Sequence, residues 1–308
     1  MDLLLYFFAR TLVAVIQSLP LRAVARIGRA GGAVAFCLDG RHRRVVLRNL
    51  EMCFGKEKSP AELRAIAKEN FRRLGESYCS AIKTAVMDAG AMKPHFKFIG
   101  AEKIARYRPE GGPQSCIVAI GHFGNFELYV RFGQFVPGYK PAATYRALKQ
   151  PGLNRVMQSL RERSGCHFFE RRADGKALRA CLAETGLLLG LLADQHEGRG
   201  GLRLPFLGHD CMTSAATAIF ALRYHAPLHT AICYRTALAQ WEIEVGDEIP
   251  TRENGAPRST AAIMLDVNRA FEAAVRRDPA NWFWVHRRWK VLESKVQSPE
   301  SKVENPAP

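Results

Sequence analysis

The chain has 308 residues, 47% hydrophobic and 24% charged, which excludes a disordered or collagen-like polymer. Its 45 Lys and Arg outnumber 29 Asp and Glu, and the net charge of +16 calls for an anionic partner: nucleic acid, an acidic protein, a phosphorylated small molecule or a membrane surface. The eight cysteines stand singly without a C-x-x-C pair, which supports neither a zinc ribbon nor a disulfide scaffold and fits a reducing, cytosol-facing location.

Residues 3–21 are mostly apolar, LLLYFFARTLVAVIQSLPL, and approach the roughly 20 residues that cross a bilayer. Arg10 and Gln17 interrupt them, and an Arg at mid-span costs about 2.5–3.5 kcal/mol on insertion scales. The Met-Asp start lacks the basic region of a signal peptide. Arg41, Arg43, Arg44 and Arg48 follow, the order expected of an anchor with a basic cytoplasmic flank. Residues 1–50 are therefore expected to form a membrane-anchoring helix with a basic juxtamembrane region. The alternative is an apolar helix packed on the domain.

Ser59-Pro60-Ala61-Glu62 is a capping box with proline at the first helical position, and apolar residues at helical spacing carry that helix to about residue 87. Residues 115–120 read as a buried strand, 125–135 as a helix, 142–145 as a strand and 153–163 as a helix. Asp174 can cap a helix through 182, and 187–193 is a second buried strand ending at Asp194. The stretch GRGGLRLPFLG reads as a glycine-rich loop before a helix over 214–224. Strands over 228–234 and 241–245 and a long helix over 259–277 complete the pattern, and the polar tail, 293–308, is expected to be disordered. Strands alternating with helices predict an α/β fold, a mixed sheet with helices on both faces, over residues 51–292.

The segment Gly121-His122-Phe123-Gly124-Asn125-Phe126-Glu127 follows the strand over 115–120 and opens a helix. Loops at the carboxyl ends of strands in open α/β sheets are where ligands bind. A histidine acts as a base when a carboxylate takes the proton of its other ring nitrogen, and Glu127, five residues on, is the candidate partner. No nucleophilic serine or cysteine lies in the segment and no G-x-S-x-G occurs, so a substrate hydroxyl is the expected nucleophile. A structural histidine at a turn is the competing reading.

GHFGNFE resembles the H-x-x-x-x-D/E motif of the glycerolipid and lipid A acyltransferases. Thr144-Tyr145-Arg146, Asp194-Gln195 with Leu204-Pro205-Phe206-Leu207-Gly208 and Thr213, and Trp284-Val285-His286-Arg287-Arg288-Trp289-Lys290 resemble three further blocks of the lipid A biosynthesis (late) acyltransferase family, in its order. The resemblance implies a glycerolipid acyltransferase-like fold. It implies transfer of a fatty acyl chain from acyl carrier protein, as co-substrate, to a hydroxyl of a lipid A precursor at the cytoplasmic face of the inner membrane. No cofactor or metal is implied. It casts His122 as general base, Glu127 as its acidic partner, and Arg161 or Arg163, Asp194, Tyr145 and Arg146 as supporting or substrate-binding residues. His196-Glu197, Leu204 and Leu207 depart from the family pattern, which bears on substrate identity more than on reaction type.

Arg161, Arg163, Arg171, Arg172, Lys176 and Arg179 form a basic concentration, either a solvated face or a site for lipid phosphates or an acidic carrier. Trp282, Phe283, Trp284 and Trp289 read as core or interfacial anchors. Asp194 to His196 with His209 fit no standard metal spacing. The rival readings are an acyltransferase acting on another phospholipid or glycolipid, an inactive membrane-surface scaffold, and a basic nucleic-acid-binding protein without a recognisable binding motif.

Overall fold

The computed structural model describes residues 2–106, 111–134, 136, 138–171, 173–183 and 186–290. The tail expected to be disordered lies outside them, as does Arg172.

Four helices open the chain: α1 (Asp2–Ser18), α2 (Leu21–Leu38), α3 (Gly40–Phe54) and α4 (Pro60–Thr84). The capping box at Ser59 forms, with the Ser59 and Glu62 side chains each bonded to the other's backbone amide. α2 and α4 pack at very close range. A Cβ built on Gly32 would stand 2.1 Å from the Phe71 carbonyl oxygen, and one on Gly75 2.1 Å from that of Gly28.

A short helix α5 (Ala89–Met92) leads to β1 (Phe96–Ile99), and then come β2 (Cys116–Ile120), a 3₁₀ helix (Phe126–Gln134) and β3 (Lys140–Tyr145). α6 (Pro151–Arg161), β4 (His167–Glu170), α7 (Gly175–Ala183) and β5 (Leu187–Leu192) follow. β6 (Leu202–Phe206) and β7 (His209–Thr213) precede α8 (Ala216–Arg223), β8 (Leu228–Ala237) and β9 (Gln240–Val245). The small ribbon β10 (Arg252–Glu253) and β11 (Ala256–Pro257) leads to α9 (Thr260–Arg277).

The main sheet has seven strands in the order β1-β9-β8-β2-β5-β3-β4. All its pairings are parallel except β8 with β9. β2 is buried at every residue, as a central strand covered on both faces must be. Its side chains alternate: Ile117 and Ala119 join Phe36, Val46, Leu50, Phe271 and Trp282 in one core. Val118 and Ile120 join Leu21, Ala25, Met92 and Tyr129 in the other. The mixed sheet with helices on both faces is thus observed.

Two expectations need correction. Among the described residues no helix is long and apolar enough to cross a membrane. Pro20, which lacks an amide hydrogen, separates α1 from α2, and Arg10 donates to Ser159 Oγ on α6 at 3.3 Å instead of facing lipid at mid-span. Phe36, Val46 and Leu50, all within residues 1–50, belong to the main core. The glycine-rich loop is mostly a hairpin, in which β6 pairs with β7 across the two residues Leu207 and Gly208. Both have positive φ, +50° and +79°, the turn that matches strand twist.

Candidate active site

His122 and Asp194 meet because of strand register. β2 and β5 run parallel with Ile120 opposite Leu192, so the residues two places beyond each strand end lie side by side at the carboxyl end of the sheet's central strands. Asp194 Oδ1 accepts His122 Nδ1 at 2.8 Å, and Oδ2 accepts the His122 backbone amide at 2.8 Å. Oδ2 also accepts Trp282 Nε1 at 2.8 Å. Gly121 permits the approach, since a Cβ there would meet the Phe123 ring at 2.6 Å and Asp194 Oδ2 at 3.3 Å.

Asp194 is buried at 1% exposure. Burial alone would raise its pKa, but the charge of His122, its two hydrogen bonds and that of Trp282 outweigh the desolvation and hold it below the ordinary carboxylate range. An ionised Asp194 fixes the proton on His122 Nδ1, which leaves Nε2 with a lone pair. The Gln195 side-chain amide stands 3.3 Å from that atom. Among the described residues no serine, threonine or cysteine hydrogen-bonds His122. The ring lies between Phe126, 4.9 Å away, and Phe283, 5.5 Å away.

The expected His122–Glu127 pairing is not observed. Glu127 sits in the first turn of the 3₁₀ helix and faces α6, where Arg161 holds it through Nη2 at 2.7 Å and Nε at 3.2 Å. Arg161 also lies over the rings of Phe168 at 5.1 Å and Tyr145 at 6.0 Å. The carboxylate bonded to His122 is Asp194, and Glu127, Arg161 and Tyr145 form a second group. Arg146 and Arg163 are exposed and pair with no carboxylate among the described residues. Arg171 approaches Glu197 at 3.6 Å.

The second group borders an apolar cavity of about 390 Å³ between α1, α4, the 3₁₀ helix and α6. Leu12, Ile82, Phe126, Val156, Met157 and Leu160 line it with Glu127 and Arg161. Phe126 touches both this cavity and the His122 ring.

The C-terminal segment grips the Asp194 loop at three successive residues. Trp282 bonds the Asp194 side chain, Arg288 Nη1 donates to the Gln195 carbonyl at 2.7 Å, and His286 Nε2 accepts the His196 amide at 2.9 Å. Arg288 is fully buried and also donates to the Met212 carbonyl and to Thr213 Oγ1, both at 2.7 Å. Burial lowers the His286 pKa to about 4. Two helix asparagines hold the segment: Asn70 donates to the Ala280 and Trp282 carbonyls, and Asn49 to those of Trp284 and His286. The tryptophans are core residues as expected, but the Trp282 bond to Asp194 has no sequence signal.

His122, bonded to a buried carboxylate at the carboxyl end of the central strands, thus lies beside an apolar cavity, with no serine, threonine or cysteine bonded to it among the described residues. The model of the bacterial lipid A biosynthesis acyltransferase family matches residues 2–291, and the chain belongs to that family. It is accordingly an O-acyltransferase of lipid A biosynthesis. It is 26% identical over 282 residues to the lipid A biosynthesis palmitoleoyltransferase of Escherichia coli (strain K12), covering 89% of this chain and 87% of that one. The lipid A biosynthesis acyltransferase of Shigella flexneri matches to the same extent. The lipid A biosynthesis lauroyltransferase of Escherichia coli (strain K12) is 26% identical over 293 residues, 92% of this chain and 90% of that protein.

Proposed function

We propose that the protein moves a fatty acyl chain from the thioester of acyl carrier protein to a hydroxyl of a lipid A precursor, at the cytoplasmic face of the inner membrane. The observation that carries this reading is the contact of Phe126 with both the His122 ring and the apolar cavity, which sets a base beside a slot for a hydrocarbon chain. The acceptor hydroxyl displaces the Gln195 amide and gives its proton to His122 Nε2. Its oxygen attacks the thioester carbonyl, the carbon–sulfur bond breaks, and the departing sulfur takes the proton back from Nε2. Asp194 holds Nδ1–H throughout and stabilises the imidazolium between the two transfers. The amides of His122, Phe123 and Gly124 are already bonded, to Asp194, Gly121 and Asn281, so the oxyanion is met by other donors.

Membrane association follows from α1. Leu4, Phe8, Leu12 and Val15 recur at helical spacing on it and are 77%, 70%, 49% and 53% exposed. Such a helix lies in the membrane surface with its apolar face in the acyl boundary, and the positive net charge adds attraction to anionic lipid. The resemblance supplies the donor and the membrane face.

Mass spectrometry of a reaction containing acyl-carrier-protein thioester and lipid A precursor tests the reading. The wild type is expected to add one acyl chain, and folded His122→Ala to be slower by about 10²–10⁴-fold. Full activity of that variant would overturn the base assignment. A bulky Ala81→Trp in the cavity wall is expected to shift preference to shorter chains.

A further inference from the structure

Four arginines converge on a second pocket, of about 450 Å³, away from the apolar cavity. It is lined by Arg26, Arg29 and Ala30 of α2, Arg72 of α4, and Arg235 and Leu238 at and just beyond the end of β8. No lining residue is acidic. Two carboxylates nearby hold Arg29 and Arg235 and orient them. Fully buried Glu76 accepts Arg235 Nε at 2.7 Å and Arg29 Nη1 at 3.3 Å, and its other oxygen accepts the Ala239 amide at 2.9 Å. Glu69 takes the two terminal nitrogens of Arg29 at 3.0 and 2.9 Å. Arg26 and Arg72 are exposed and have no ion-pair partner among the described residues. Four arginines against two carboxylates leave a local surplus of +2; Arg73, which also reaches Glu69, is balanced by Asp278.

This geometry suits phosphate. Guanidinium groups already held lose little entropy on binding, and their planar forks match phosphate oxygens. The pocket is at the catalytic end of the sheet. β2 and β8 are parallel with Ile120 opposite Ala231, so the part of β8 that carries Arg235 runs on past the end of β2, in the direction in which His122 lies. Asn281 links them, accepting the Arg235 amide on its side chain and the Gly124 amide on its backbone carbonyl. Exposed apolar side chains, as a lipid surface would meet, stand on the same helix: Ile27, next to Arg26, and Val34 are each 56% exposed.

We propose that Arg26, Arg29, Arg72 and Arg235 form a binding site for a phosphate monoester on the headgroup of an anionic membrane lipid. Only the lipid source rests on the membrane-surface reading above; the phosphate chemistry does not.

The test uses the full chain, the double variant Arg26→Gln/Arg72→Gln, and His122→Ala as a control whose binding does not depend on the catalytic assignment. One arm measures inorganic phosphate by isothermal titration. The other measures sedimentation with phosphatidylcholine vesicles with and without phosphatidic acid. Each substitution removes a charge-assisted contact, so the double variant is expected to bind phosphatidic-acid vesicles at least about tenfold more weakly at an unchanged melting temperature. His122→Ala is expected to bind as the wild type does. Weaker phosphate binding with unchanged vesicle binding would overturn the lipid source. A double variant equal to wild type in both arms would overturn the site.

Discussion

Asp194→Asn is the most discriminating substitution because the new amide has only one orientation that fits. Oδ2 receives two donors, the His122 backbone amide and Trp282 Nε1, whereas Oδ1 receives only His122 Nδ1. The asparagine oxygen must therefore take the Oδ2 place, since the amino group there would face two N–H groups. The amino group then points at Nδ1 and demands an acceptor, so the ring proton moves to Nε2 and the base is lost. A wrong tautomer in a hydrolytic triad costs about 10⁴ in kcat. The expected loss here is about 10³–10⁴, or roughly 4–5.5 kcal/mol of barrier. Stability should fall by only about 1–2 kcal/mol, since shape is kept and the loss of charge from three hydrogen bonds is offset in part by no longer burying a carboxylate. Steady-state assays with acyl-carrier-protein thioester, with urea unfolding in parallel, read both quantities. Activity within tenfold of wild type in a folded variant would refute the tautomer argument.

Glu127→Ala and Arg161→Ala remove the same ion pair, so each should slow transfer and the double variant should be little worse than the poorer single, measured as a kinetic double-mutant cycle. Gly32→Ala should destabilise by about 3 kcal/mol or more by driving a Cβ into the Phe71 carbonyl. Gly31→Ala on the same helix, where a Cβ meets nothing within 4 Å, should stabilise by about 0.5–1 kcal/mol, both read by urea titration. His286 is held neutral down to about pH 4, whereas the unfolded chain takes up that proton near the ordinary 6.5. The unfolded state therefore binds more protons between those values, and stability should fall as pH drops through the window. His286→Gln should flatten that slope in pH-dependent melts.

The elements were legible wherever a short pattern decides them. The capping box at Ser59, the buried runs of β2 and β5 and the helix capped by Ser259 all follow from local chemistry. The hairpin of β6 and β7 was hidden because Leu207 adopts a positive φ that a leucine rarely signals. The site was legible in membership but not in pairing. His122, Asp194, Arg161 and Glu127 were all singled out, yet proximity in sequence joined Glu127 to His122. Register, invisible in a single chain, brings Asp194 across 72 residues instead, while the 3₁₀ helix turns Glu127 towards α6. The burial of Arg288 has no local sequence signal, because two of its three partners are carbonyls, which carry no side-chain identity.

The grip of the C-terminal segment on residues 194–196 also sets an order of events during synthesis. Chains emerge from the ribosome amino end first, at about 5–20 residues per second. His122 and Asp194 are therefore both made well before Trp282, His286 and Arg288 arrive to fix residues 194–196. A nascent or prematurely terminated chain carries both reacting-site residues but lacks the parts that align them. The alignment of the His122–Asp194 pair thus waits for residues 282–288 to be translated.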